Sequence, residues 1–119
     1  MGKDKLKRFA AIKTFANVYE PVMGEPFAQK GSWRSMVFKN DNPIILELGC
    51  GKGEYAVGMG RHFNNKNFIG VDLKGNRIYI GAKEALETNL TNVAFLRTRI
   101  DFILDYFAEG EVDEIWLTF

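Results

Sequence analysis

The segment Ile44–Glu54 (IILELGCGKGE) constrains the fold of this chain more than any other stretch. It opens with an apolar run of the kind that forms a buried parallel strand. Glycine then recurs at every second position, at Gly49, Gly51 and Gly53. Glycine adopts backbone angles that other residues avoid, and it lets a ligand approach the main chain without a Cβ in the way. The segment therefore predicts a strand, a tight ligand-binding turn and a following helix.

Two carboxylates distinguish this turn from the common dinucleotide-binding turn. The dinucleotide fingerprint is G-x-G-x-x-G, whereas this turn reads G-x-G-x-G, with Glu54 at the place of the last glycine and Glu47 two positions before the first. A pyrophosphate binds a helix N-terminus because free N–H groups and the helix dipole attract anions, and two carboxylates oppose it. S-adenosylmethionine carries an ammonium and a sulfonium but no phosphate, so the acidic turn favours this cofactor.

A third carboxylate, Asp72, follows about 20 residues after the glycine turn. Asn67–Asp72 (NFIGVD) is a second apolar strand that ends in an acid 19 residues after Gly53. An acid about 20 residues past the glycines, at the tip of the neighbouring strand, accepts hydrogen bonds from ribose hydroxyls. Taken alone, Glu47 could be a strand-end carboxylate satisfied by backbone N–H groups, and Asp72 a helix cap. Their combination with the glycines favours cofactor binding.

Length and composition limit the class of protein. A chain of 119 residues, 46% hydrophobic and 26% charged, predicts at most one globular domain. The only cysteine, Cys50, excludes an internal disulfide. The N-terminus lacks a signal-peptide pattern and no long apolar span is present, so we expect a cytoplasmic protein without membrane contact. No cluster has zinc-ligand spacing, and there is no P-loop or Ser/His/Asp set, so no metal is expected.

Charge is distributed unevenly along the chain. Residues 1–39 carry a net charge of +5, and residues 40–119 carry −4. This asymmetry predicts a basic N-terminal arm and helix at 1–39, which would meet a polyanionic partner, and a ligand-binding body at 40–119. The alternative for the arm is a solvated helix face with solubilising lysines.

The remaining pattern predicts alternating strands and helices. Helical periodicity covers Asp4 to about Val18, and Trp33, Met36, Val37 and Phe38 form a short apolar turn that packs on the body. The later predicted helices are Glu54–Phe63, Gly75–Asn89 and Asp101–Phe107, and the later predicted strands are Asn92–Leu96 and Glu114–Phe119. The order βαβαβαβ implies a parallel sheet with ligand at the carboxyl ends of its strands.

Four segments together resemble one family, the bacterial tRNA (guanine-N7)-methyltransferases. They are GSWRSMVFKNDNPIILELGCGKGEY (31–55), NFIGVDLKGNRI (67–78), NVAFLRTR (92–99) and FAEGEVDEIWLTF (107–119). The resemblance implies an α/β, Rossmann-like class I methyltransferase fold, a parallel sheet flanked by helices. It also implies S-adenosyl-L-methionine as cofactor, tRNA as partner and 7-methylguanine at position 46 of the variable loop as product.

The resemblance also implies roles for individual residues. Glu47 and the glycine turn hold the methionine part of the cofactor, and Asp72 holds the ribose. The segment after the third strand lines the adenine pocket. Many relatives have an acid at the position of Arg99, whereas here the nearest acid is Asp101, so Asp101 and the main-chain groups of Arg99 and Ile100 become the candidates. The basic arm offers Lys5, Lys7 and Arg8 to tRNA.

The resemblance further implies that this chain corresponds to the N-terminal half of the enzyme. Relatives continue into a Ser-Asp-Pro segment and a Lys/Arg-rich run, assigned to guanine and tRNA, and about three more strands complete their sheet. No catalytic residue is identified among residues 1–119. We therefore expect these residues alone to bind cofactor without turnover and to associate through the uncovered fourth strand.

Two other functions compete with this one. One is a non-catalytic nucleotide-binding Rossmann module, for example one that binds NAD, and the other is a different class I methyltransferase. Glu54, in place of the third glycine, disfavours the NAD reading.

Overall fold

A computed structural model describes residues 2–118 of the chain. Five strands form one sheet in the order β1-β4-β3-β2-β5, and every neighbouring pair is parallel. The strands are β1 Val18–Tyr19, β2 Ile44–Leu48, β3 Asn67–Asp72, β4 Val93–Arg97 and β5 Glu114–Leu117. The α-helices are α1 Gly2–Ile12, α2 Glu54–His62 and α3 Gly75–Glu87, and two short helices are a π-helix at Trp33–Phe38 and a 3-10 helix at Ile100–Asp105.

The predicted α/β fold with its parallel sheet is confirmed. The strand at Asn67–Asp72 has the predicted bounds, and the strand at Ile44–Leu48 lies at full burial between its two neighbours. The last predicted strand is paired with β2, where Leu46 lies opposite Ile115. Its last predicted residue, Phe119, lies outside the described residues. Ile115 and Leu117 are 56% and 67% exposed, so the apolar side chains of β5 are largely uncovered within residues 2–118.

The N-terminal segment differs from its prediction. The first helix ends at Ile12 rather than near Val18, because Thr14 donates both its backbone N–H and its hydroxyl to the Ala11 carbonyl, which closes the last turn. The chain then forms β1, which pairs with β4 in a register of Val18 opposite Phe95. A two-residue strand has too little alternation to be recognised from sequence.

Two other element predictions needed adjustment. The helix predicted at Asp101–Phe107 is a 3-10 helix at Ile100–Asp105. The helix predicted at Gly75–Asn89 ends at Glu87, because Asn89 takes a left-handed conformation with φ of 55° and Leu90 N donates to the Ala85 carbonyl. This is the usual way in which a helix terminus satisfies its free carbonyls.

One face of the sheet is closed by the segment that links the N-terminus to β2. Trp33 is fully buried there, stacked on Phe107 with ring centroids 5.2 Å apart, and its Nε1 donates to the Tyr106 carbonyl at 2.9 Å. Glu111 is buried beside it, and its carboxylate accepts the backbone N–H groups of Gly31, Trp33 and Ala108. The predicted apolar turn is thus part of the core.

The other face packs against α2 and α3 around Phe95, which is fully buried on β4. Three glycines leave the space that its ring occupies. A Cβ added at Gly53, Gly70 or Gly81 would lie 2.7, 2.9 or 2.9 Å from the ring. The same added Cβ at Gly81 would lie 2.6 Å from the Lys52 carbonyl oxygen. The glycine turn, β3 and α3 therefore meet at one aromatic side chain.

The two glycines within α2 provide a matched test of this packing. An added Cβ at Gly60 would lie 2.3 Å from Val93, whereas nothing lies within 4 Å of one at Gly58. We expect Gly58→Ala to raise the free energy of unfolding by about 0.5–1 kcal/mol, because alanine is the better helix former. We expect Gly60→Ala to lower it by about 1–3 kcal/mol through overpacking. Urea unfolding of the two variants measures both values, and equal shifts would contradict the packing described.

Candidate functional site

The predicted glycine turn lies at the carboxyl edge of the sheet, between β2 and α2. All three glycines have positive φ, at 76° for Gly49, 55° for Gly51 and 74° for Gly53. The backbone N–H groups of Gly49 and Cys50 both donate to the Val71 carbonyl, at 2.8 and 3.0 Å. The turn is therefore held against the end of β3, and its left-handed conformations explain why glycine occupies these positions.

Glu47 is 5% exposed and lies directly before this turn on β2. Its Oε2 accepts a hydrogen bond of 2.7 Å from the hydroxyl of Thr118, which follows β5. Its Oε1 is buried and has no hydrogen-bond partner among residues 2–118. A buried carboxylate oxygen without a partner is costly, and a water, an ion or a ligand group beside it would satisfy it.

Burial raises the pKa of the Glu47 carboxyl above its ordinary value. The Thr118 hydrogen bond and the nearby Ala56 amide lower this pKa and offset part of the effect, while the charge of Asp72 raises it further. The carboxylate is thus held in a place where its charged form is poorly solvated. A cationic group beside Oε1 would relieve this cost.

Asp72 lies at the tip of β3, as predicted, and both of its oxygens accept backbone hydrogen bonds. Oδ2 accepts from Gly51 N and Oδ1 accepts from Lys74 N, each at 2.9 Å. The helix-cap role considered for this residue is not observed, because α3 has no side-chain cap hydrogen bond and the bond from Lys74 N closes a turn directly before the helix. Each carboxylate oxygen has a second lone pair, so these bonds leave Asp72 able to accept from a ligand as well.

A cavity of about 370 Å³ surrounds Glu47 and the turn. It is open to solvent on one side and has a polar lining. Its walls are formed by Glu47, Gly49, Cys50, Lys52, Glu54, Tyr55, Arg77 and Thr118. Glu54, which replaces the third fingerprint glycine, is the first residue of α2 and is exposed on the rim of this cavity.

The residues predicted on the adenine side, Arg99, Ile100 and Asp101, lie after β4 and have different surroundings. Arg99 lines a second cavity, of about 420 Å³, together with Leu73, Thr98 and residues 20–23. The Asp101 carboxylate forms an ion pair with Arg99 at 3.0 Å and is exposed. Ile100 packs against the core on the Trp33 side of the sheet.

Cys50 lies within the turn but has no nucleophilic character. Burial raises the pKa of its thiol well above the ordinary value, and the Asp72 and Glu47 charges add to this. The thiol therefore stays protonated at neutral pH, and reactive cysteines are thiolates. Within residues 2–118, no three His, Cys, Asp or Glu side chains lie close enough together to hold a metal ion.

The predicted tRNA-binding residues Lys5, Lys7 and Arg8 lie on α1, apart from the glycine turn. This helix packs against the start of α3, where an added Cβ at Gly75 would lie 2.8 Å from Ile12 and 3.0 Å from Phe9. Lys5 and Lys7 are at the surface, and Arg8 lies over the ring of Tyr79 on α3.

Sequence reasoning missed two participants of the site. Thr118 orients Glu47, and Trp116 packs against Tyr55 with ring centroids 4.9 Å apart, which joins β5 to the start of α2. Both contacts depend on β5 lying beside β2. Both residues lie within the last predicted strand, and no sequence signal selected either of them.

Comparison with known proteins identifies the class. A family model described as "Putative methyltransferase" matches residues 41–119. Among solved structures, a protein described as an antibiotic-related methyltransferase superposes with a TM-score of 0.65 at 14% identity, covering 78% of this chain and 48% of that chain. This likeness concerns the fold, which is that of the class I, Rossmann-like methyltransferases.

The sequence relatives are more specific. A tRNA (guanine-N(7)-)-methyltransferase of Bacteroides fragilis is 57% identical, and one of Bacteroides thetaiotaomicron is 54% identical, each over all of this chain and 49% of the relative. The chain belongs to the methyltransferase family of the matching model. It spans about half the length of the curated relatives it matches. Within residues 2–118, no helix has the length and apolar composition needed to cross a membrane.

The buried Glu47 carboxyl predicts a characteristic dependence of stability on pH. Because its folded pKa is raised, the folded state holds a proton that the unfolded state has already released, so stability falls as pH rises between the unfolded and folded pKa values. We expect Glu47→Gln to lack this fall and to be more stable than the wild type at neutral pH. Urea unfolding between pH 4 and pH 7 measures the difference.

The exposed Glu54→Gln variant is the control for the loss of one carboxylate at the same site. A Glu47→Gln variant that parallels the wild type over the whole pH range would show that the carboxyl is not under electrostatic strain.

Proposed function

We propose that the protein is an S-adenosyl-L-methionine-dependent methyltransferase that forms 7-methylguanine at position 46, in the variable loop of tRNA. The observation that carries the proposal is the buried Oε1 of Glu47, without a partner, beside a glycine turn at the carboxyl edge of the sheet. The names of the relatives support the substrate. We assign residues 40–119 to cofactor binding and residues 1–39 to RNA contact.

The donor groups of the site fit this cofactor. Glu47 Oε1 would accept from the methionine ammonium, and the open main chain at Gly49 and Gly51 would pass beneath the methionine part. Gly53, packed against Phe95, would fix the turn. The remaining lone pairs of Asp72 would accept from the ribose hydroxyls. On the adenine side, the main-chain groups of Arg99 and Ile100 are the candidates, since the Asp101 carboxylate already pairs with Arg99.

The proposed methyl transfer needs little acid–base catalysis from the protein. The bound cofactor supplies an electrophilic methyl group on a sulfonium. Guanine N7 carries an in-plane lone pair, so it needs no deprotonation before it attacks. The residues of this chain therefore bind and orient the cofactor, and positioning of this kind is worth effective molarities of order 10⁵ M or more. We accordingly propose no general base and no metal within residues 1–119.

The proposed substrate also fits the charge distribution. A tRNA presents a phosphate backbone to the enzyme, and the basic residues Lys5, Lys7 and Arg8 on α1 would contact it. A protein that modifies tRNA would work where tRNA is found, in the cytoplasm.

Binding of S-adenosylhomocysteine tests the cofactor site. We expect Glu47→Gln and Asp72→Ala each to weaken it by about 1–3 kcal/mol, the cost of a lost charge-assisted hydrogen bond. Titration calorimetry on the full-length protein measures the affinities, with the exposed Glu109→Gln as control. Glu47→Gln would then bind less tightly while being more stable at neutral pH, a combination that a damaged fold does not produce.

A thermal-shift measurement on the same protein tests the nucleotide-binding alternative. Thermal stabilisation by S-adenosylhomocysteine and not by NADH is the expected result. Stabilisation by NADH alone would reject the methyltransferase proposal, and unchanged affinity in both variants would return Glu47 and Asp72 to purely structural roles.

Salt dependence tests the contribution of α1 to RNA binding. We expect simultaneous replacement of Lys5, Lys7 and Arg8 by Ala to lower tRNA affinity and to flatten the plot of log Kd against log salt concentration, because fewer counterions are released. The control replaces Lys30 and Lys66, which lie elsewhere on the fold. Filter binding over a series of salt concentrations gives both slopes. If the triple variant keeps the wild-type slope, these three side chains are merely solvated.

A further inference from the structure

Tyr79, on the outer side of α3, has two cations at its ring. The Arg8 guanidinium carbon lies 5.5 Å from the ring centroid and the Lys83 Nζ lies 5.7 Å from it. Phe15 stacks on the same ring, with centroids 5.7 Å apart and an interplanar angle of 23°. Lys83 reaches the ring because it stands one helical turn after Tyr79, whereas Arg8 is brought there by α1. We call Arg8, Tyr79 and Lys83 the Tyr79 surface.

Within the part of the chain that the structure describes, the cations of this surface form no ion pair. Glu84, the acid next to Lys83, is paired with Arg61 at 2.6 Å. Asp4 and Glu87 each stand one turn away on α1 and α3, and neither forms an ion pair with these cations. Two like charges are thus gathered at one ring without a counter-charge of their own.

This arrangement suits a phosphate backbone. Both cations lie within 6 Å of the centroid of one ring, and a phosphate backbone that passes over this ring would be attracted by both. The aromatic ring restrains both cations through cation–π contact, so less side-chain freedom is lost when they bind. Arg, Lys and a partly exposed aromatic side chain are also the residue types with which proteins contact RNA strands.

The position of the surface connects it with the cofactor site. Helix α3 begins directly after Asp72 and Lys74, at the carboxyl edge of the sheet. Tyr79 is about 6 Å, and Lys83 about 12 Å, along the helix axis from Gly75, at 1.5 Å per residue. Because α3 ends at Glu87, Tyr79 lies in the half of the helix nearer the cofactor edge and Lys83 in the other half, so RNA bound along this surface would extend away from that edge.

We propose that the Tyr79 surface is an RNA-backbone contact in which α3 joins the basic helix α1, so that RNA binding is not confined to the N-terminal arm. This inference rests on the proposed function for the identity of its partner. Its new element is the contribution of Tyr79 and Lys83, which belong to the predicted cofactor-binding part of the chain.

The test compares Lys83→Gln with Lys66→Gln in the full-length protein. Lys66 is a matched control, because its Nζ lies 4.9 Å over the ring of Phe63 but at the opposite, amino edge of the sheet. An unmodified tRNA transcript is the probe, with Kd measured over a salt series. We expect Lys83→Gln to weaken binding about 3- to 10-fold near physiological salt and to reduce the salt slope by about one. Lys66→Gln should change neither.

A second variant checks the role of the ring. Tyr79→Leu should weaken tRNA binding, and its effect should be less than additive with Lys83→Gln, because both remove the same contact. Lys83→Arg, which keeps the charge, should restore the salt slope. Equal salt slopes for Lys83→Gln, Lys66→Gln and the wild type would overturn the proposal.

Affinity for S-adenosylhomocysteine and methyl transfer to tRNA separate this proposal from the proposed function. If the wild type methylates tRNA and Lys83→Gln keeps the wild-type salt slope, the Tyr79 surface is rejected and the methyltransferase function stands. If the wild type binds tRNA through Lys83 but transfers no methyl group to it, the contact stands and the proposed reaction is rejected.

Discussion

The packing of the Phe95 ring against Gly53, Gly70 and Gly81 is the contact on which the rest of this structure depends. It brings together the glycine turn, the middle of β3 and the inner side of α3 at a fully buried side chain. Any side chain at these glycines would displace one of the three elements. The turn is therefore positioned by a packed core as well as by its hydrogen bonds to the Val71 carbonyl and to Asp72.

The site carries a cost in stability that the rest of the fold must offset. Glu47 is buried with one oxygen lacking a partner, and Thr118, from the other side of β2, orients the second oxygen. A protein selected for stability alone would not retain such a group, since an apolar residue of the same shape would be cheaper. Under the proposed function, the buried Glu47 carboxylate would be met by a cationic group of the cofactor, which would offset this cost in the free energy of unfolding.

The N-terminal segment is a part of the fold as well as a basic arm. Trp33 completes the core on one face, Glu111 ties Gly31 and Trp33 to the residues before β5, and β1 extends the sheet beside β4. The charge pattern of residues 1–39 predicted an arm because charged side chains lie mostly at the surface. The charge pattern carried no information on β1, because its two residues pair with β4, which lies far along the chain. The early end of α1 depended on Thr14, which donates its backbone N–H and its hydroxyl to the Ala11 carbonyl.

Local sequence alone determined the strand at Ile44–Leu48, the glycine turn, the helix after it and the acid at the tip of the next strand. These features follow from apolar periodicity and from the backbone freedom of glycine, which act over a few residues. Only the tertiary structure decided that Thr118 reaches Glu47 and that Arg8 reaches the ring of Tyr79. Contacts between residues distant in the chain depend on strand order and side-chain direction, and no sequence period records either of these.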